Sequence, residues 1–99
     1  MRPRIRKQAR AERDLIDIWH YTEDRWGEAR ADRYLDEIDA ALDRLCDNPL
    51  IGVDCGHIRA GYRRFTAGSH YIFYRLDQAA IEVIRVLHIR MDHQAQLEE

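Results

Sequence analysis

Apolar residues recur at helical spacing along the first half of the chain. Ala11, Leu15, Ile18, Trp19 and Thr22 step by four, three, one and three, which predicts an amphipathic helix over roughly residues 9–25. Trp26-Gly27 interrupts the stripe, and glycine suits the left-handed backbone at a helix end. Ala31, Leu35, Ile38, Leu42 and Leu45 then step by four, three, four and three until Asn48-Pro49 stops the pattern. Two helices joined by about two residues fold back as an antiparallel hairpin. Ahead of them Arg2-Pro3-Arg4-Ile5-Arg6 alternates and reads as a short strand, with Pro3 confining it to a sheet edge or a strand start.

Beyond a loop at 49–57 the period changes from 3.6 to 2. Ile58–Thr66, Ser69–Leu76 and Ala80–His88 are rich in β-branched and aromatic residues. Ala67-Gly68 and Asp77-Gln78 separate them and are short enough for tight hairpins. Asp92–Glu99 has room for one or two helical turns, too few to be stable alone. The order β-α-α-β-β-β predicts an α+β fold in which an antiparallel sheet carries a helical hairpin on one face and a short C-terminal helix follows. A chain of 99 residues has the length of a single domain, taken as 1–99.

Two strands raise a problem of coverage. In Tyr71-Ile72-Phe73-Tyr74 and Val83-Ile84-Arg85-Val86-Leu87 both alternating faces are apolar or aromatic, whereas a sheet with one wet face shows polar residues at every second position. The hairpin covers one face. The other calls for the C-terminal turns, a second copy or a different protein. Burying ~600 Å² of such surface is worth on the order of 15 kcal/mol before association costs. The expectation is that a partner covers it. Strand parity leaves the face taken by Arg85 open, since one bulge reverses the assignment.

Charge narrows the kind of partner. Sixteen basic and 18 acidic side chains nearly cancel, which excludes a polycationic tail. The distribution is uneven: residues 1–10 carry five basic groups and no acid, residues 55–76 carry Arg59, Arg63, Arg64 and Arg75 and no acid, and residues 12–47 hold twelve acids against five arginines. Basic strands attract nucleic acid or an acidic protein segment. Tyr62, Phe65, Tyr71, Phe73 and Tyr74 interleave with those arginines, a pattern that stacks bases or seats an apolar, acidic peptide. The near-zero net charge and the uncovered face favour the peptide. No stretch approaches the run of about 18 apolar residues that crosses a bilayer, and the basic N-terminus lacks the apolar core of a secretory signal. A cytoplasmic location is expected.

Candidate chemistry is sparse. His88 ends the last strand beside Arg85 and Arg90, and with Arg63 and Arg64 it would supply an acid–base group and phosphate ligands for RNA cleavage. Arginine stays protonated and cannot be the base. The five histidines are scattered, Cys46 and Cys55 form no CxxC pair, and neither a metal site nor a phosphate-binding glycine loop is expected.

Three runs then carry a resemblance. Arg59-Ala60-Gly61-Tyr62-Arg63-Arg64-Phe65, Gly68-Ser69-His70-Tyr71-Ile72-Phe73-Tyr74-Arg75 and Ile84-Arg85-Val86-Leu87-His88-Ile89-Arg90-Met91-Asp92, with Asp14-Leu15-Ile16-Asp17-Ile18-Trp19 ahead of them, resemble the ParE branch of the RelE/ParE toxin superfamily over nearly the whole chain. The resemblance implies the toxin of a type II toxin–antitoxin module. Its partner would be a ParD-like antitoxin with a ribbon-helix-helix DNA-binding end and a C-terminal segment that wraps the toxin, so that DNA is met only through the antitoxin. ParE-like toxins are associated with inhibition of DNA gyrase, whereas RelE-like members cleave mRNA in the ribosome. The RelE-like nucleases use lysines and arginines on the central strands with a C-terminal tyrosine. Here the only lysine is Lys7, Tyr71 stands where those enzymes carry an arginine, and no tyrosine follows His88. The resemblance therefore implies a non-enzymatic toxin that needs no cofactor, with Arg59, Tyr62, Arg63, Arg64, Tyr71, Phe73, Arg75, Arg85, His88, Arg90 and Met91 as antitoxin- or target-binding residues. The alternative is an mRNA endonuclease using Arg63, Arg64, Arg85 and His88. A degenerate member that keeps only its antitoxin contact is a third reading.

Overall fold

A computed structural model describes residues 2–98; Met1, at the start of the basic N-terminal run, and Glu99, at the end of the tail segment, lie outside the described residues. The elements are β1 (Arg4–Lys7), α1 (Ala9–Trp26), α2 (Glu28–Asp47), β2 (Val53–Asp54), β3 (Arg63–Ala67), β4 (His70–Asp77), β5 (Ala80–His88) and α3 (His93–Leu97). The sheet runs β1-β5-β4-β3-β2.

The helical hairpin turns on one residue. Gly27 sits at φ 92°, a backbone that side-chain-bearing residues avoid, and it both closes α1 (its N–H donates to Glu23 O, 2.8 Å) and opens α2 (its carbonyl accepts Ala31 N–H, 3.1 Å). The predicted stripes of both helices face the sheet. Ala11, Ile18, Ile38, Ala41, Leu42 and Leu45 bury against Ile72, Tyr74, Ile81, Val83 and Val86. Trp19 stays partly exposed and ties the hairpin by donating Nε1–H to Asp32 at 2.9 Å.

The sheet corrects the sequence reading in three ways. First, it is mixed: β1 runs parallel to β5, with Arg4 opposite Ala80 and Lys7 opposite Val83. No tight turn joins those strands, so hairpin geometry does not fix their relative direction. Second, the strand expected from Ile58 begins at Arg63, and a two-residue strand at Val53–Asp54 lies within the expected loop. Residues 55–62 fold instead into consecutive turns, with Ile58 N–H and Arg59 N–H both on Cys55 O and Tyr62 N–H on Arg59 O. Third, the register slips between Phe73 and Tyr74, which pair with Arg85 and Val83 and leave Ile84 as an extra residue on β5. The bulge turns Ile84 to the far face beside Leu87 while Val83 and Val86 keep to the helix face.

The far face is the larger correction. It is not left for a second molecule. Cys55, Phe73, Ile84, Leu87 and Leu97 form a second buried cluster, flanked by Ile58, Tyr62 and Tyr71. The 55–62 turns and α3 close over it. Although α3 is one turn and a half, Asp92 caps it by accepting Ala95 N–H (3.2 Å), His93 Nε2 reaches His88 O (2.9 Å), and Leu97 is 3% exposed. The chain's own tail thus supplies the cover that periodicity assigned to a partner.

Beyond this apolar patch the far face carries half-exposed arginines around one buried carboxylate. Glu82, 6% exposed, accepts from Arg6 on β1 (2.6 Å), from Arg75 on β4 (2.8 Å) and from Gln8 (3.0 Å). Arg6 above all, with Gln8 and Arg75, holds the Glu82 carboxyl below its usual range. A group depressed in this way stabilises the fold above its unfolded pKa, and the contribution vanishes as pH falls through its folded value. Glu82→Gln is therefore expected to flatten the acid limb of a stability-versus-pH curve, read by urea unfolding. Leu97→Ala is expected to cost about 2 kcal/mol and to raise binding of an apolar dye, because it opens the far-face cluster. Unchanged stability and dye binding would mean that the tail seals nothing.

Candidate partner-binding groove

β1 leaves the sheet halfway along β5. Gln8 N–H still reaches Val83 O (2.9 Å), but the chain then turns into α1, and among the described residues the outer edge of β5 beyond Val83 has no strand beside it. Asp14, on the second turn of α1, fills the place. Its Oδ2 accepts Val86 N–H at 3.0 Å, as a neighbouring strand's carbonyl would. The same carboxylate takes Arg85 in a fork, Nε on Oδ2 at 2.7 Å and Nη2 on Oδ1 at 3.0 Å, with both side chains nearly buried. Arg85 Nη1 also approaches Gln96 O in α3 at 3.4 Å. Arg85 is therefore an internal tie between α1, the sheet edge and the tail.

Because a side chain and not a strand closes this edge, the hairpin stands away from the end of the sheet and a groove of about 780 Å³ opens between them. Asp14, Asp17, Ile18 and Tyr21 of α1 form one wall, Arg30, Arg33, Tyr34 and Glu37 of α2 another, and Val86, Leu87, His88 and Met91 the floor and rim. Tyr21 and Trp26 are 57% and 51% exposed at the mouth, with Arg25 stacked on the first ring (4.9 Å) and Arg30 on the second (4.7 Å). Tyr34 anchors the other end. Its Oη accepts Ser69 N–H (3.0 Å), lies 2.5 Å from His70 Nδ1, and its ring fills the space a Cβ on Gly68 would take. Burial first, then His88, pulls the His70 imidazole down to about 4, against an opposing pull from Asp14.

The sequence-predicted residues fall into three places. Arg85, His88 and Met91 line the groove, with Arg90 exposed beside it. Arg59, Tyr62, Arg64 and Tyr71 sit on the far face above buried Phe73: Arg64 lies 4.5 Å over the Tyr71 ring, and Arg59 Nη1 reaches Leu97 O at 3.4 Å. Arg63 and Arg75 are committed elsewhere. Arg63 donates to Gly52 O (2.8 Å) and Leu50 O (3.4 Å), clasping the loop after α2, and Arg75 serves Glu82. The four residues of the nuclease alternative do not converge, since Arg63 and Arg64 serve opposite sides of β3 and Arg85 is locked to Asp14. Among the described residues, no three His, Cys, Asp or Glu side chains gather as metal ligands. The groove residues Asp14, Tyr21, Trp26, Arg30, Tyr34 and His70 were missed. The available signal was Tyr21, an aromatic on an otherwise polar helix face; Tyr34 lies on the apolar stripe, three residues after Ala31 and four before Ile38, and reads there as core.

Comparison with known proteins places this architecture. A family model described as "ParE toxin of type II toxin-antitoxin system, parDE" matches residues 5–93. The chain belongs to the ParE toxin family. Toxin ParE1 of Caulobacter vibrioides is 43% identical over 97 residues, covering 98% of this chain and 99% of the relative. Toxin ParE1 of Mycobacterium tuberculosis is 51% identical over 83 residues, 83% of this chain and 85% of the relative. A solved structure described as "Chromosomal ParDE TA system from P. aeruginosa" superposes with a TM-score of 0.78 over 91% of this chain and 98% of its own at 17% identity, so the fold is shared with little of the sequence. The chain is thus a type II toxin, and the matched span runs from β1 into α3, taking in every wall of the groove. No helix is long and apolar enough to cross a membrane among the described residues.

The edge tie makes a measurable demand on this toxin fold. Asp14→Ala removes an acceptor from Val86 N–H and a nearly buried carboxylate from Arg85, and is expected to cost about 3 kcal/mol in urea unfolding. The double variant Asp14→Ala, Arg85→Met should recover part of that loss, a coupling that independent sites would not show.

Proposed function

We propose that this ParE-family toxin arrests growth in the bacterial cytoplasm by binding DNA gyrase, without catalysis of its own, and that a ParD-like antitoxin silences it by laying an amphipathic segment in the groove. The groove carries this reading. It has apolar Ile18, Val86 and Leu87 in its lining, is rimmed by exposed Tyr21, Trp26 and Met91, and is flanked by Arg30, Arg33 and Glu37 on one side and by Asp17 on the other. Those are the features that receive a helix bearing apolar anchors and mixed charge. The ParDE assembly named for the structural relative supports an antitoxin as the occupant.

The far-face group of Arg59, Tyr62, Arg64 and Tyr71 is assigned to the target. Its apolar base is already sealed, so it presents a flat, cationic and aromatic surface suited to a second, separate contact. The ribonuclease alternative draws no support from Arg63, Arg64, Arg85 and His88, which point to different partners.

Expression of the chain alone is the test. Growth arrest with relaxed or broken DNA and intact early transcripts is expected, with recovery when a ParD-like antitoxin is co-expressed. Early mRNA cleavage before any change in supercoiling would overturn the reading. Trp26→Asp is expected to weaken capture by the antitoxin at least about tenfold while toxicity persists, and Arg59→Ala with Arg64→Ala to do the reverse.

A further inference from the structure

The far face keeps its arginines at the surface although its apolar base is sealed. Arg59 and Arg64 are joined there by Arg75 of β4 and by Arg4 and Arg6 of β1. The last two flank Ile5, which packs into the helix-side core, so alternation turns them to the far face. Two carboxylates meet this group: Arg6 engages Asp77 (2.7 Å) and Glu82 (2.6 Å), and Arg75 shares Glu82 (2.8 Å). Those ties leave the Arg6 and Arg75 side chains 48% and 45% exposed. At the border, Asp54 is taken up by Gly56 N–H and Glu98 by Gln94. Arg4, Arg59 and Arg64 meet no carboxylate among the described residues.

The other side of the sheet has the opposite sign. The hairpin that covers it lies within residues 12–47 for most of its length, and these hold twelve acids against five arginines. A net charge of −2 therefore conceals two layers of unlike charge, and a ligand at the sheet meets the local field, not the sum. The rings on the far face are not offered for stacking. Arg64 covers the Tyr71 ring, Phe73 and His93 meet it edge-on, and Tyr62 packs on the cluster beneath. What the face presents is guanidinium N–H donors, whose forks match phosphate.

We propose that the far face of the sheet binds duplex DNA through its phosphate backbone, without reading sequence, with Arg4, Arg59 and Arg64 as the principal contacts. DNA then meets the toxin directly and not only through an antitoxin. β1 and β3 lie three strand spacings apart, about 14 Å, and over that distance a duplex offers a phosphate every ~1.7 Å of its axis. With no free ring face to stack a base, the denser backbone charge of the duplex is favoured over a single strand. An apolar peptide loses its claim on these strands, because the tail already covers the apolar residues it would have buried. The surface rests on the gyrase reading only for where the duplex is met, on an enzyme that itself works on DNA.

The test is fluorescence anisotropy of a labelled mixed-sequence duplex of about 20 base pairs, titrated with the isolated full chain. Saturable binding is expected, with log affinity falling against log salt at a slope of about −3, or roughly fortyfold between about 50 and about 200 mM salt. Arg59→Ala with Arg64→Ala should bring the slope to about −1. Arg13→Ala with Arg44→Ala takes the same charge from exposed positions on the helices and should leave it at about −3. An equal loss in the two double variants would overturn the surface. So would three results from the unaltered chain, which need no variant to fold: no saturable binding at low salt, a slope near zero, or tighter binding of single-stranded RNA of the same length. The titration contains no gyrase. DNA binding in a toxin that cleaves mRNA in cells overturns the gyrase reading alone, and gyrase inhibition by a toxin that does not bind the duplex overturns the DNA surface alone.

Discussion

The carboxylate of Asp14 does the work of a missing strand. β5 is buried along almost its whole length, yet β1 pairs with only its first four residues, and the backbone beyond needs an acceptor that no neighbouring strand provides. Asp14 meets that need at Val86 N–H and uses its second oxygen to hold Arg85. Both contacts pin α1 to the sheet beside Val86, and only past that point does the hairpin, packed on the sheet elsewhere, stand away from it. The groove is the consequence. Had β1 run the full length of β5, the helices would pack down over the sheet end and no comparable recess would remain.

Much of the fold was legible because its signals are periodic. The stripes from Ala11 to Thr22 and from Ala31 to Leu45, the single glycine between them and the alternating runs after residue 62 all report local geometry, and all reappear as elements. What escaped has no period. Ile58, Tyr62 and Leu97 cover the far face from turns and from a helix of five residues, where one anchor per segment is enough and no pattern repeats. The parallel direction of β1 escaped because no turn encodes it. The bulge at Ile84 shows in the sequence only as a strand apolar on both sides, a pattern that an uncovered face would produce equally well.

The site was less legible than the fold for a related reason. Side chains from α1, α2, β4, β5 and the turn after β5 assemble it, and each looks ordinary in its own segment. Arginines drew attention by their number, but the structure spends Arg6, Arg63, Arg75 and Arg85 on internal ties. Those left at the surface separate into a groove with charge of both signs and a far face with an arginine stacked on a tyrosine. Two distinct surfaces on one small toxin allow it to be held by one molecule and to engage another without competition for the same side chains.

The pairing of β1 with β5 also orders events during synthesis. Arg4–Lys7 has its sheet neighbours at Ala80–Val83, so the earliest strand waits until most of the chain has been made before it can dock. The helical hairpin, whose contacts are local, is ready long before the sheet it will lie on. During that interval its apolar stripe is solvent-exposed on the nascent polypeptide, and neither the edge tie nor the groove yet exists. The edge tie and the groove therefore both form late, once β5 has been made.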